Sequence, residues 1–66
     1  MSKISLKAAR VNAKMRQTDV ALKLDVAVST VRNWETGKTF PKQPVIEKLC
    51  ELYGVSYDNI DFLANA

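Results

Sequence analysis

Apolar residues recur at helical spacing in two short stretches of residues 17–37. In the first stretch they lie at positions i, i+1 and i+4, and in the second at i and i+3, so each stretch has one apolar face. These apolar residues are Val20, Ala21 and Leu24, followed by Val31 and Trp34. Between the stretches lie Asp25, whose residue type tolerates a left-handed backbone, and Val26, an apolar anchor. The pattern predicts a helix over residues 17–24, a tight turn and a helix over residues 28–35.

One helix precedes this pair and another follows it. The first is predicted over residues 4–13, with Ser2 or Ser5 capping its start. Gly37 is placed to end the second helix of the pair in a left-handed conformation. The stretch after it contains two prolines and cannot continue a helix, so we expect a loop there. A further helix is then predicted over residues 44–53.

The C-terminal part is predicted to add a fifth short helix. Gly54 is placed to cap the end of the preceding helix, and Ser56 to cap the start of the last one. Ile60 and Leu63 would then point inward. No segment alternates apolar and polar residues for long enough to predict a strand. We therefore expect a single all-α domain over residues 1–66, built as a compact bundle of five short helices.

With 66 residues, the chain is near the lower limit at which a hydrophobic core alone stabilises a domain, so self-association would help. Its net charge of +3 is unevenly distributed. Nine basic and three acidic residues give residues 1–43 a charge of +6, whereas one basic and four acidic residues give residues 44–66 a charge of −3. A basic half that carries the paired helices fits a polyanionic partner, although a solvated lysine-rich surface would give the same count.

Residue types that are scarce in the chain exclude several classes of site. One cysteine and no histidine cannot form an internal disulfide or a thiolate and imidazole zinc cluster, so no metal or other cofactor is expected. The chain also lacks a glycine-rich phosphate loop and an evident pair of catalytic carboxylates, so we do not expect an enzyme. No apolar run approaches a membrane span of about 18 residues, and charges interrupt the N-terminus too regularly for a secretory signal. We expect a cytoplasmic protein with no small-molecule substrate.

Residues 20–38 resemble the helix-turn-helix of the phage Cro and repressor family, whose members are also called XRE-type regulators. The family pattern begins with Leu-Ala and ends with Trp-Glu, any residue, then Gly-Lys. The matching positions are Val20, Ala21, Val26, Ala27, Thr30, Val31, Arg32, Asn33, Trp34, Glu35, Gly37 and Lys38. The likeness extends from Leu6 to about Leu63. It implies a lambda-repressor-like DNA-binding domain with its helix-turn-helix at residues 17–35, encoded by a bacterium or a phage and associated with the nucleoid.

The resemblance assigns four residues to the major groove of DNA: Val28, Ser29, Arg32 and Asn33. They lie at i, i+1, i+4 and i+5, which is one side of a helix whose opposite side is apolar. Asn33 can pair with adenine, Arg32 can bind guanine or a phosphate, and Val28 can touch a thymine methyl group. The plainer interpretations are that Val28 covers the edge of the core and that Arg32 and Asn33 are solvated surface residues.

The resemblance also implies contacts with the DNA backbone. Lys38, Thr39 and Lys42, in the loop after the recognition helix, match positions that hold phosphates in the family. Gln17 matches a position that contacts the backbone and supports the recognition helix, although it could be only a helix-start residue. Such contacts fix the register of a protein on DNA without distinguishing bases.

Two further sets of residues concern the structure and assembly of the domain. Arg10 and Glu35 match positions that form a salt bridge between the first and third helices of the family. A single recognition helix contacts too few bases for useful specificity, so we expect a homodimer on double-stranded DNA. The C-terminal part would supply the contacts between the two copies, through Ile60, Phe62 and Leu63.

This chain departs from the family pattern at three helix boundaries. Arg16 stands where the family usually has a threonine cap for the second helix, so Thr18 could cap a shorter helix instead. Ala27 replaces the usual serine or threonine cap of the recognition helix. Asp25 stands where glycine is common in the turn, at little cost because aspartate visits left-handed geometry.

These observations predict a sequence-specific transcription regulator of double-stranded DNA. The expected form is a Cro-type repressor that binds a two-fold-symmetric operator as a homodimer. The alternative is an antirepressor or antitoxin-like module, which keeps the fold and acts mainly through a protein partner that binds the acidic C-terminal third.

Overall fold

The computed structural model describes residues 3–62 and is mainly helical. In chain order, its elements are β1 (Ile4–Ser5), α1 (Leu6–Asn12), α2 (Gln17–Leu24), α3 (Val28–Thr36), α4 (Gln43–Tyr53), a 3₁₀ turn (Tyr57–Asn59) and β2 (Ile60–Asp61). The prediction of an all-α fold built around two short paired helices is confirmed, and α2 has the predicted bounds. Within residues 3–62 there are four α-helices, however, and not five.

Local hydrogen bonds explain where α1 and α2 begin. The Ser5 side chain caps α1, because it accepts a hydrogen bond at 3.0 Å from the backbone N–H three residues later. Arg16 provides no side-chain cap for α2; instead, the Asp19 carboxylate accepts a hydrogen bond from the Arg16 N–H at 2.9 Å. That hydrogen bond lowers the pKa of Asp19 below its ordinary value of 3.8. Helix α2 therefore begins at Gln17, and the alternative of a shorter helix capped by Thr18 is wrong.

Each of the four helices is followed by one residue with a left-handed backbone. These residues, with φ between 57° and 80°, are Lys14, Asp25, Gly37 and Gly54. The next N–H then donates to the carbonyl five residues earlier, as Met15 does to Arg10 at 3.2 Å and Val55 does to Cys50 at 3.0 Å. The expectation of a left-handed Asp25 is confirmed. Lys14 was not predicted to adopt this conformation, which a lysine Cβ makes unfavourable.

The predicted fifth helix is replaced by the 3₁₀ turn and β2. The chain turns after Ser56, whose carbonyl accepts a hydrogen bond from the Asn59 N–H at 2.9 Å. The following residues extend and pair in parallel with β1, so that Ile60 lies opposite Ile4. Because the backbone of Ile60 is committed to this pair, the turn cannot lengthen into a helix. The expectation that the chain has no strand was therefore wrong for these two short segments.

The core lies where the helices and β2 meet. Its buried apolar residues are Leu6, Ala9, Val20, Ala21, Val31, Trp34, Leu49, Tyr53 and Ile60. Every helix contributes at least two of them, so α2 and α3 are held against α1 and α4 rather than against each other alone. Trp34 belongs to this core, as its helical spacing predicted.

Within residues 3–62, no helix is both long and apolar enough to cross a membrane.

Candidate nucleic-acid interface

Helix α3 has a buried side and an exposed side. The buried side consists of Val31, Trp34 and Glu35. The exposed side consists of Ser29, Arg32 and Thr36, with Val28 and Asn33 partly buried at its two edges. Residues three, four and seven positions apart lie above one another on a helix, so the exposed side forms one continuous polar strip.

A buried ion pair joins α1 to the buried side of α3. The Arg10 Nε donates to Glu35 Oε2 at 2.6 Å, and Arg10 Nη2 donates to Glu35 Oε1 at 3.4 Å. A third donor of the same guanidinium, Nη1, bonds the Met15 carbonyl at 2.8 Å. Glu35 is only 3% exposed and Arg10 only 9% exposed. The pair therefore fixes the position of α3 relative to α1 and to the connection between α1 and α2.

Gln17 joins the same polar cluster from the first turn of α2. Its Nε2 donates to Glu35 Oε1 at 3.0 Å, and the residue is partly buried. The side chain is therefore engaged by α3 in the structure. This placement supplies the contact that would let Gln17 support the recognition helix, whereas its contact with DNA stays a prediction.

Tyr53, on α4, has a buried hydroxyl. Its oxygen is fully buried and has no hydrogen-bond partner among residues 3–62. Burial raises the pKa of Tyr53 above its ordinary value of 10.0; the Glu35 carboxylate raises the pKa further, while the Arg10 guanidinium lowers it. Tyr53 therefore brings a buried polar group from α4 into the core.

The loop after α3 places three polar residues beside the end of that helix. Lys38, Thr39 and Lys42 are all exposed. The backbone N–H groups of Lys38 and Thr39 both donate to the Asn33 carbonyl, at 3.0 and 3.3 Å. The start of the loop is therefore tied back against the last turns of α3. The roles of the three residues in DNA binding stay predictions.

Thr36 is a candidate site residue that the sequence analysis missed. It is exposed and lies seven positions after Ser29 and four after Arg32, so it continues the same strip. Its Oγ1 donates to the Arg32 carbonyl at 3.0 Å. The sequence could have identified Thr36, because it has the same helical phase as Ser29. It was missed because α3 was predicted to end at residue 35, one residue too early.

The three residues expected between two copies of the chain have different positions. Ile60 is 2% exposed and packs in the core, as its inward position predicted, so little of its side chain is available to a second copy; its role in a dimer stays a prediction. Phe62 is partly buried, and its ring stacks on that of the exposed Tyr57 with centroids 5.6 Å apart. Leu63 lies outside the described residues.

The exposed charges follow the uneven distribution in the sequence. Exposed basic residues before α4 are Lys3, Lys7, Lys14, Arg16, Lys23, Arg32, Lys38 and Lys42. Exposed acidic residues from α4 onward are Glu47, Glu51 and Asp58. The Arg10 and Glu35 charges are buried together, so they leave the positive excess of the first part unchanged.

A model of the helix-turn-helix family matches residues 6–60, from the start of α1 to the start of β2. Comparisons with curated proteins and with solved structures gave no match. The family model thus spans the paired helices, the buried ion pair and the loop after α3. This domain is typical of DNA-binding transcription regulators. The chain belongs to the XRE-type helix-turn-helix family.

Proposed function

We propose that the chain is a sequence-specific regulator that places α3 in the major groove of double-stranded DNA, as a Cro-type repressor does. The observation that carries this proposal is the polar strip of α3. Its opposite side is fixed by core packing and by the pair between Arg10 and Glu35, at 2.6 Å, so the strip faces outward in a defined orientation. A rigid helix with an exposed polar side suits contacts with base edges.

The two long polar side chains of α3 are the proposed source of base preference. Arg32 is exposed and can bind guanine through two hydrogen bonds or hold a phosphate. Asn33 lies at the edge of the strip and can pair with adenine through its amide. Ser29 can bond either type of base, and Val28, partly buried at the other edge, can touch a thymine methyl group.

Residues around the strip are proposed to hold phosphates. Lys38, Thr39 and Lys42 are exposed in the loop that follows α3, and Gln17 lies at the start of α2. Each neutralised phosphate releases counterions, so the affinity for DNA should fall steeply with salt, with a log–log slope of about −0.9 per phosphate contact.

Two copies on one operator would supply the specificity that a single α3 lacks. Half-sites related by two-fold symmetry lie roughly 34 Å apart along the duplex, which places both recognition helices on one face of the DNA. With Ile60 in the core, the stacked pair of Tyr57 and Phe62 is the apolar surface that we propose for contacts between the two copies, together with Leu63.

The proposal is tested by selecting bound sequences from random duplex DNA with the purified protein. We expect a consensus with two-fold symmetry, in which each half-site contains an adenine or a guanine at the positions facing Asn33 and Arg32. Recovery of unbiased sequences would contradict base recognition, and an unrepeated half-site would contradict the dimer while leaving base recognition in place.

A protein partner is the second candidate, because the exposed acidic side chains from α4 onward form a surface unlike the basic remainder of the chain. Such a module would shift its own upstream DNA only when a second protein is present. A gel shift with the purified chain alone would exclude this requirement.

A further inference from the structure

Phe40 is an apolar side chain exposed in the middle of a basic loop. It is 56% exposed, whereas the next residue, Pro41, is buried. Phe40 is not part of the core or of the partly buried shell that packs on it. The fold therefore gives no packing reason for a phenyl ring at this position.

The charges around Phe40 indicate what kind of partner the ring can meet. Lys38 and Lys42 lie two positions on either side of it, and both are exposed. If two copies of the chain met through Phe40, four lysines would be brought together at the contact, which is unfavourable. A polyanion, in contrast, would be attracted by the same lysines. Duplex DNA offers apolar sugar and base-edge surfaces beside its phosphates, and phenylalanine is among the apolar side chains that proteins insert between its base steps.

The position of the loop places Phe40 next to the proposed major-groove site. Lys38 and Thr39, directly before it, donate backbone hydrogen bonds to Asn33 in α3. If α3 lies in the major groove, Lys38 and Lys42 reach the phosphates at its edge, and the minor groove begins on the other side of those phosphates. Apolar side chains that enter a minor groove partly unstack a base step and bend the duplex.

We propose that Phe40 is an apolar wedge that contacts the minor groove of duplex DNA beside the site occupied by α3. This inference rests on the proposed function. Pyrimidine–purine steps unstack most readily, so Phe40 should add a preference for such a step at a position that no polar side chain of α3 contacts.

The test compares three variants on the duplex selected by the wild-type chain, with 2-aminopurine replacing one adenine at the flanking step. Phe40→Ser removes the ring, and Phe40→Leu keeps an apolar wedge. Leu22→Ser is the matched control, because Leu22 is an exposed apolar residue on α2 outside the proposed interface. Affinity, 2-aminopurine fluorescence and the DNA bend angle are measured, and thermal unfolding checks that each variant is folded.

We expect Phe40→Ser to lose about tenfold in affinity, the fluorescence increase and the bend, while Phe40→Leu and Leu22→Ser bind nearly as the wild type. Unchanged affinity, fluorescence and bend in Phe40→Ser would overturn the wedge. So would equal losses in Phe40→Ser and Leu22→Ser, or a loss of self-association by Phe40→Ser without DNA. If the wild-type chain bound no duplex, the proposed function itself would fail, which the selection detects before any variant is made.

Discussion

The two sides of α3 satisfy different requirements. On the buried side, Trp34 packs in the core. Glu35, on the same side, accepts hydrogen bonds from Arg10 and Gln17. The exposed side carries Ser29 and Arg32, whose side chains point to solvent and do not pack in the core. Substitutions on the buried side should therefore change folding, whereas those on the exposed side should change binding. This separation allows one scaffold to keep its shape while its polar strip varies.

The largest effect should come from breaking the ion pair on the buried side. Arg10→Ala leaves the Glu35 carboxylate buried beside Gln17 without its cation, which costs about 3–5 kcal/mol in the free energy of unfolding. That loss is comparable with the whole stability expected for a core of this size. Circular dichroism with urea titration should find the variant largely unfolded, and DNA binding should disappear with the fold.

A double variant separates the role of the charges from that of the volume. Arg10→Met combined with Glu35→Leu replaces both charges by apolar groups of similar size, which is often neutral or stabilising. We expect it to recover most of the stability lost in Arg10→Ala. A double variant as unstable as the single one would show that the charges themselves are required for folding.

The exposed side is tested by two variants that should leave the fold intact. Asn33→Ala removes a proposed base contact and should weaken binding to the selected site by about 1–3 kcal/mol, with a much smaller effect on random DNA. Lys38→Ala removes a phosphate contact and should weaken binding to all duplexes alike, while lowering the salt slope by about one unit. Fluorescence anisotropy at several salt concentrations measures both effects. Equal losses on both DNAs for both variants would contradict base recognition by α3.

The sequence predicted the helix-turn-helix better than the ends of the chain, for physical reasons. The apolar spacing of α2 and α3 is local, so Gln17–Leu24 was bounded correctly even though Arg16 does not cap it with its side chain. The Asp19 carboxylate instead accepts a hydrogen bond from the Arg16 N–H, and its position three residues later was visible in the sequence. The β1–β2 pair joins residues more than fifty positions apart, and local patterns do not report such contacts.

The same limitation affected the candidate site. Ile60 has an apolar side chain whether it packs in the core or against a second copy, and only the pairing of β2 with β1 showed that it is buried. The hydrogen bond from Gln17 to Glu35 depends on how α2 and α3 cross, which spacing alone does not determine. The polar side of α3, in contrast, followed directly from helical phase, apart from Thr36.

A smaller effect should come from Tyr53, whose hydroxyl is buried in the domain. Tyr53→Phe removes a buried polar atom that has no partner within residues 3–62, so the free energy of unfolding should rise by about 1 kcal/mol. The folded state also raises the pKa of Tyr53 above 10.0. Above that pH the unfolded state loses the proton first, so wild-type stability should fall as pH rises.

Urea titrations from pH 7 to 11 measure both consequences of Tyr53→Phe. The variant should lose less stability above pH 10 than the wild type does, because it lacks the buried phenol. A variant that is less stable at neutral pH, or that has the same alkaline dependence as the wild type, would contradict this account of the hydroxyl.

The smallest expected change adds a cap to α3. Ala27 precedes the helix and contributes no side-chain hydrogen bond to its first turn. Ala27→Ser should provide one, raising the free energy of unfolding by about 0.5–1 kcal/mol. Thermal unfolding measures the gain against the wild type, whose alanine is the uncapped reference. A serine variant no more stable than the wild type would show that the first turn gains nothing from a cap.

The orientation of α3 toward DNA is tested most directly by mapping backbone amide chemical shifts of the labelled chain during titration with the selected duplex. We predict that the largest changes fall on residues 28–42 and the start of α2, with small changes at Glu47, Glu51 and Asp58. Changes concentrated on the acidic residues, or an unperturbed α3 at a DNA concentration that saturates binding, would contradict the account.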